Sequence, residues 1–211
     1  MMLRHETPSK RKPTFDDRWL RLLDAAAGVF TAEGYEGASM RRLASEAKLS
    51  LSGVYHYVAS KEELLYWIQL NTFDSLLRGL QTSLEGVVDP RERLHTAVLN
   101  HVRHFGENMH ELKVCARELG ALEGEAYKEV HDRRRAYFGA VHALVKELPP
   151  QPEAPLDSWL ATANLFGMLN WFYQWYDPER STVSLDDLAA HQTALFLRGY
   201  AAPSDDHRSD L

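Results

Sequence analysis

The chain has 211 residues, 45% of them hydrophobic and 26% charged, enough material and a suitable balance for a folded core in water. One cysteine, Cys115, excludes an internal disulfide framework, and no apolar run is long enough to span a bilayer, so a cytoplasmic protein with no membrane partner is expected. The net charge of -6 argues against a uniformly basic nucleic-acid binder, yet residues 1–62 hold ten Lys/Arg against eight Asp/Glu and the remainder fourteen against twenty-two. That asymmetry suggests a head that faces nucleic acid on an acidic body.

Residues 1–13 mix Arg, Lys, Ser and Pro without apolar periodicity and read as a disordered basic arm ahead of a first unit at 14–62. From Asp16, Leu22, Leu23, Ala26 and Phe30 recur at helical spacing, and Gly34 offers a stop. Ser39 can cap a second helix whose inward face is Met40, Leu43, Ala44 and Ala47, and Ser50 a third reaching about Tyr57. Ser60-Lys61-Glu62-Glu63 has the capping-box form and opens a long fourth helix to about Leu84. Asp89-Pro90-Arg91-Glu92 is another start, with Leu94, Ala97, Val98, His101 and Phe105 repeating behind it. Further helices are predicted over about 110–122, 125–148, 156–176 and 185–200, with Pro149, Pro150, Pro152 and Pro155 forming a rigid linker between two of them. No stretch alternates with period two. The expected fold is all-α with about nine helices, a second unit at 63–200 and a disordered tail at 201–211.

Residues 39–61 read SMRRLASEAKLSLSGVYHYVASK, two short capped helices about a tight turn, which is the helix-turn-helix pattern. Ala44 is small where two helices must cross, and Leu43, Ala47, Leu49 and Val54 supply a minimal core. The third helix then presents Ser50, Leu51, Ser52, Gly53, Tyr55 and His56, small or hydrogen-bonding groups where a major-groove reader contacts bases and phosphates. Glycine inside a helix costs up to ~1 kcal/mol relative to alanine, so Gly53 suits a backbone that approaches DNA closely.

From Leu22 to Leu65 the chain resembles the DNA-binding domain of the tetracycline-repressor (TetR) family. The carrying residues are Ala25-Ala26 with Phe30, Gly34-Tyr35, Ser39-Met40-Arg41-Arg42-Leu43-Ala44, Leu49-Ser50, Gly53-Val54-Tyr55-His56-Tyr57 and Ser60-Lys61-Glu62-Glu63-Leu64. The resemblance implies a ligand-responsive repressor rather than an enzyme, binding double-stranded operator DNA as a homodimer, with no cofactor and no metal. It implies that Ser39 and Arg41 or Arg42 touch the DNA backbone, that Ser50 to Gly53 face base edges, and that Tyr55, His56 and Lys61 hold phosphates. Leu51 stands where many members carry a polar or basic residue, which points to an apolar contact with a thymine methyl.

The same resemblance implies an effector pocket inside the helical body. Glu111 to Leu122 and Gly167-Met168-Leu169-Asn170-Trp171 with Gln174-Trp175-Tyr176 look like the branch that senses acyl-coenzyme A thioesters. The expected effector is therefore a hydrophobic small molecule, best matched by a fatty or aromatic acyl-coenzyme A, with another hydrophobic drug or metabolite as the alternative. Its expected pocket lies between helices four, five, seven and eight and draws on Trp67, Leu70, Phe73, Phe105, Tyr137, Met168 and Trp171. Arg103, Arg117 and Arg134, within the run Arg133–Arg135, are expected to meet the coenzyme phosphates. For the dimer, Leu160, Ala163, Gly167 and Trp171 on one helix, with Leu188 and Leu195 on the last, are expected to pair with their copies. Glu92/His95 and Glu107/His110 have the Glu-x-x-His spacing of di-iron bundles, but both pairs fall on or just past one helix, which leaves that enzyme a remote alternative. Cys115, in an apolar stretch, reads as a buried inert thiol.

Overall fold

A computed structural model describes residues 17–149 and 156–201 of the chain. The expected arm at 1–13, Pro150, Pro152, Pro155 and the tail after Ala201 lie outside the described residues. Within them the elements are α1 (Asp17–Gly37), α2 (Met40–Glu46), α3 (Leu51–Tyr57), α4 (Lys61–Ser83), α5 (Pro90–Glu107), α6 (Met109–Arg117), α7 (Gly124–Glu147), α8 (Ser158–Trp171) and α9 (Leu185–Tyr200).

The caps form as the sequence indicates. Ser39, Ser50, Ser60, Asp89 and Ser184 accept through their side chains from the backbone N–H groups of Arg42, Gly53, Glu63, Glu92 and Asp187. Each bond satisfies a donor that a helix start leaves orphaned. Asp157 caps α8 in the same way through the N–H of Leu160. At Gly34 the helical geometry of α1 breaks, with φ 73 and ψ 161, before one more turn runs to Gly37. Only glycine adopts such a left-handed φ without cost, so the stop becomes a kink. The helices expected to reach 122 and 176 end earlier, α6 at Arg117 and α8 at Trp171, each followed by a 3-10 turn, Leu119–Ala121 and Phe172–Gln174. Tightening of the last turn satisfies carbonyls that an α-helical end leaves open, as where Trp175 N donates to Phe172 O at 3.1 Å.

α4 is the spine. Its first half packs Leu64, Leu65, Ile68 and Leu70 with Trp19, Leu22, Phe30, Leu43 and Val54 of α1 to α3. Its second half packs Phe73, Leu76 and Leu80 with α5, α7, α8 and α9. The head is not closed off at residue 62, because Val114 of α6, Leu122 and Val130 of α7 complete its core. α5 and α9 meet closely: a Cβ on Gly106 would strike the Leu185 side chain.

Candidate nucleic-acid interface and effector cavity

α2 and α3 are short, and each owes its place to one apolar anchor set. Leu43, Ala44 and Val54 are buried, while Ala47 and Leu49 cover them from the edge. With those residues inward, Arg41, Ser50, Leu51, Ser52, Tyr55 and His56 face solvent. Ser50 Oγ accepts the Gly53 N–H at 3.0 Å and lies 3.1 Å from Ser52 Oγ, so the first turn of α3 carries its own hydrogen-bond network. A Cβ on Gly53 would sit 3.1 Å from Ser50 Oγ. The same cap geometry at Ser39, Ser60, Asp89 and Ser184 accommodates a side chain at the third position, so the cap alone does not account for glycine at 53. Lys48, in the turn before α3, has φ 54 and is exposed, a cation beside the reading helix that the sequence pattern did not single out. A non-glycine residue in that region is tolerated singly in tight turns.

Two of the expected backbone-contacting cations have protein partners. Arg42 Nε lies 2.7 Å from Glu33 Oε1 and Nη1 2.6 Å from Glu46 Oε2, and these bonds to Glu33 and then Glu46 hold its pKa above the ordinary arginine value. Arg41 is the exposed neighbour on the same turn. Lys61 Nζ donates to the carbonyl oxygens of Tyr35 at 2.9 Å and Glu36 at 3.3 Å, which ties the start of α4 to the end of α1.

Behind the head lies a cavity of about 810 Å³. α1 contributes Leu20, Leu23 and Asp24, and α4 contributes Tyr66, Trp67, Leu70, Asn71, Asp74, Ser75 and Arg78. His104, Asn108 and Glu111 close one side from α5 and α6, and Glu129 and Arg133 the other from α7. Glu111 Oε2 accepts from Thr72 Oγ1 at 2.9 Å and lies 3.3 Å from His104 Nε2. Tyr66 donates to Glu129 Oε2 at 2.8 Å; burial first, then that carboxylate, holds its phenol above the usual range. Arg133 Nε lies 3.3 Å from Asp74 Oδ1.

Of the residues expected to hold an effector, Trp67 and Leu70 line this cavity and the others do not. Phe105 and Tyr137 are fully buried and, with His101 and Phe166, form a stacked and edge-to-face cluster that fills the space between α5, α7 and α8. Phe73 joins the core, and Met168 packs against it from its edge. Trp171 points outward and is 60% exposed. Arg103 pairs with Asp186 of α9 at 2.6 Å, and Arg117 stacks on Tyr173 with 5.2 Å to the ring centroid. Arg134 donates to the Cys115 carbonyl at 2.7 Å and lies over Phe73. The cavity takes Arg133 instead because Arg133 shares a helix face with Glu129, four residues earlier. Cys115 is buried, and burial pushes its thiol up to about 12.

Several large apolar side chains of α8 and α9 are exposed. Leu160 is 56% exposed and Leu195 63%, with Trp159, Trp175 and Gly167 exposed beside them and Ala163 half-buried. Leu188 is not among them: it is 6% exposed and sits in the core, one helical phase away. His95 Nδ1 lies 3.2 Å from Thr193 Oγ1, whereas Glu92, Glu107 and His110 are on the surface, so the two Glu-x-x-His pairs do not converge.

Residues 22–66 match the family model for bacterial regulatory proteins of the tetR family, and residues 87–200 match that for the tetracyclin repressor-like C-terminal domain. Over 79 residues the chain is 37% identical to the nicotine-responsive transcriptional repressor HdnoR of Paenarthrobacter nicotinovorans, covering 37% of this chain and 41% of that protein. It therefore spans about two fifths of that relative's length. A TetR-family regulator from Bordetella parapertussis 12822 superposes with a TM-score of 0.79 at 27% identity, covering 87% of this chain and 95% of that one. AibR in complex with isovaleryl coenzyme A and operator DNA shares the fold, with a TM-score of 0.73 at 22% identity over 85% of this chain and 97% of that one. No helix among the described residues is long and apolar enough to cross a membrane.

Proposed function

The chain belongs to the TetR family of transcriptional regulators, which are not enzymes, and on that premise we propose that it represses transcription as a cytoplasmic homodimer released from operator DNA by a small hydrophobic effector. The observation that carries the DNA-binding half is the outward face of α3. Ser50, Leu51, Ser52, Tyr55 and His56 stand free of the core on a helix whose start is fixed by its own cap. Short polar and apolar groups on a rigid helix suit readout of base edges in a major groove, with Arg41 and Lys48 as the nearby exposed cations for phosphates.

The dimer reading rests on the α8–α9 face, where tryptophans and leucines would otherwise meet water. Pairing of two copies there would set two α3 helices at a fixed separation, which is what a two-fold operator requires. The effector reading rests on the cavity, because α1 and α4, which build the head, are two of its walls. A ligand that favours one spacing of those helices shifts the population of DNA-competent dimers. An acyl-coenzyme A ester gains little support from the arginines expected to grip it, since Arg103, Arg117 and Arg134 are engaged away from the cavity.

Gel shifts on genomic fragments at several salt concentrations test the reading. Expected are a preferred site and an affinity that falls linearly on logarithmic axes as salt rises. Equal binding to every fragment at moderate salt would refute the regulator reading.

A further inference from the structure

We propose that the ligand of the α1–α4–α6–α7 cavity is a hydrophobic organic cation, an amine protonated at neutral pH that also carries a hydrogen-bond acceptor. This rests on the effector reading above and names the class of molecule that the same site takes.

The charge of the lining sets the sign. Four carboxylates, Asp24, Asp74, Glu111 and Glu129, face two guanidinium groups, Arg78 and Arg133. Arg133 already lies against Asp74. Glu111 is the decisive one: it lines the cavity with the His104 ring 3.3 Å from its Oε2, and no Lys or Arg ion pair to it is found among the described residues. A carboxylate in a partly closed, apolar-walled space gains most from a cation that arrives with the ligand. Phosphates of a coenzyme A tail would meet this excess of negative charge instead.

Two further atoms point to the rest of the ligand. Asn71 and His104 both line the cavity, and Asn71 Nδ2 and His104 Nε2 are buried with no hydrogen-bond partner. His104 Nε2 is 3.3 Å from Glu111 Oε2 but lacks the geometry of a hydrogen bond. Buried polar atoms are rarely left in this condition, and a turn of either side chain toward the cavity would pair it with an acceptor on the ligand. The apolar walls come from Leu20, Leu23 and Leu70 and from the edge-to-face pair of Tyr66 and Trp67, whose rings also favour a nearby cation. A volume of about 810 Å³ suits a drug-sized molecule.

The test uses the full chain and three probes of one shape and different charge: phenylpentylamine, phenylpentanoate and phenylpentanoyl-coenzyme A. Thermal shift and operator gel shift are read for each. The amine is expected to raise Tm and change operator affinity, and the acid and thioester to do neither. Glu111→Gln, with folding checked by circular dichroism, is expected to raise the half-saturating amine concentration about tenfold, the scale of one charge-assisted hydrogen bond. Should that variant not fold, Asn71→Ala, which removes the unpaired amide, is expected to weaken the amine response in the same direction. A response to the acid or thioester without one to the amine overturns the cation assignment and leaves the effector reading standing. Silence from all three probes overturns the inference, while sequence-specific DNA binding is judged separately by the gel shift alone.

Discussion

The Lys61 ammonium closes the end of α1: Nζ donates to the Tyr35 carbonyl oxygen at 2.9 Å and lies 4.4 Å from the centre of the Tyr35 ring. Carbonyls at a helix end carry partial negative charge, so a cation there is favoured by the dipole as well as by its hydrogen bonds. The same residue was expected to hold a DNA phosphate, and the two roles have different signatures. Lys61→Met is expected to lower stability by about 1 kcal/mol, a charge-assisted bond discounted for partial exposure. It should weaken binding to every DNA sequence through a loosened head, with the salt slope unchanged. Loss of a phosphate contact would instead shrink the slope by about 0.9, and titrations at several salt concentrations separate the cases.

Leu51 stands at the first turn of α3, 36% exposed and outside the buried core. Leu51→Gln is therefore expected to leave stability within about 0.5 kcal/mol. Its effect should fall on sequence choice, costing discrimination of about 1–3 kcal/mol at one base pair of the half-site. Selection from a randomised operator library reads this directly. An unchanged consensus would remove Leu51 from the base-reading set.

Much of this geometry was legible in the sequence, and the parts that were not share a cause. Caps are local, so Ser39, Ser50, Ser60, Asp89 and Ser184 could be placed from spacing alone. The α2–α3 pair followed from the same signals plus the small Ala44. The cavity could not be read this way, because an aromatic on a helix face looks alike whether it lines a void or fills a core. Phe105 and Tyr137 turned out to fill, and Trp67 to line. One step of helical phase separated Arg133 from Arg134 and Leu188 from the exposed face, and the phase of a long helix depends on its tertiary partners. The contacts of Lys61 were hidden for a different reason: its partners are backbone carbonyls 25 and 26 residues away, invisible to any side-chain pattern.

The contrast between Leu195 and Leu188 tests the dimer. Leu195 is 63% exposed on α9 and Leu188 is in the core. Paired changes Trp171→Glu and Leu195→Glu are expected to give a folded monomer in sedimentation experiments, with operator affinity lost because only one head can engage. Leu188→Ala should do the reverse, lowering stability by about 2–5 kcal/mol without altering the association of whatever remains folded. A dimer that survives both charged substitutions would place the interface elsewhere.

His101 gives the protein a pH dependence with a defined sign. Its ring is buried, with Nδ1 3.3 Å from the Tyr137 hydroxyl and the rings of Phe105, Tyr137 and Phe166 packed around it. Burial, with a smaller contribution from the charge of His104, pushes the imidazole down to about 3. The unfolded chain therefore binds a proton at this site below about pH 6.5, while the folded chain stays neutral until far lower. The contribution is complete above that pH and is lost progressively as pH falls toward about 3. Its slope approaches about 1.4 kcal/mol per pH unit. Carboxylates add their own dependence lower in the range, so the window between about pH 7 and pH 5 isolates the histidine best. Urea melts across that window should show wild-type stability falling with acidification, and His101→Phe, which cannot titrate, should flatten the profile. Parallel profiles for the two proteins would mean that the ring is protonated or solvated in the folded state.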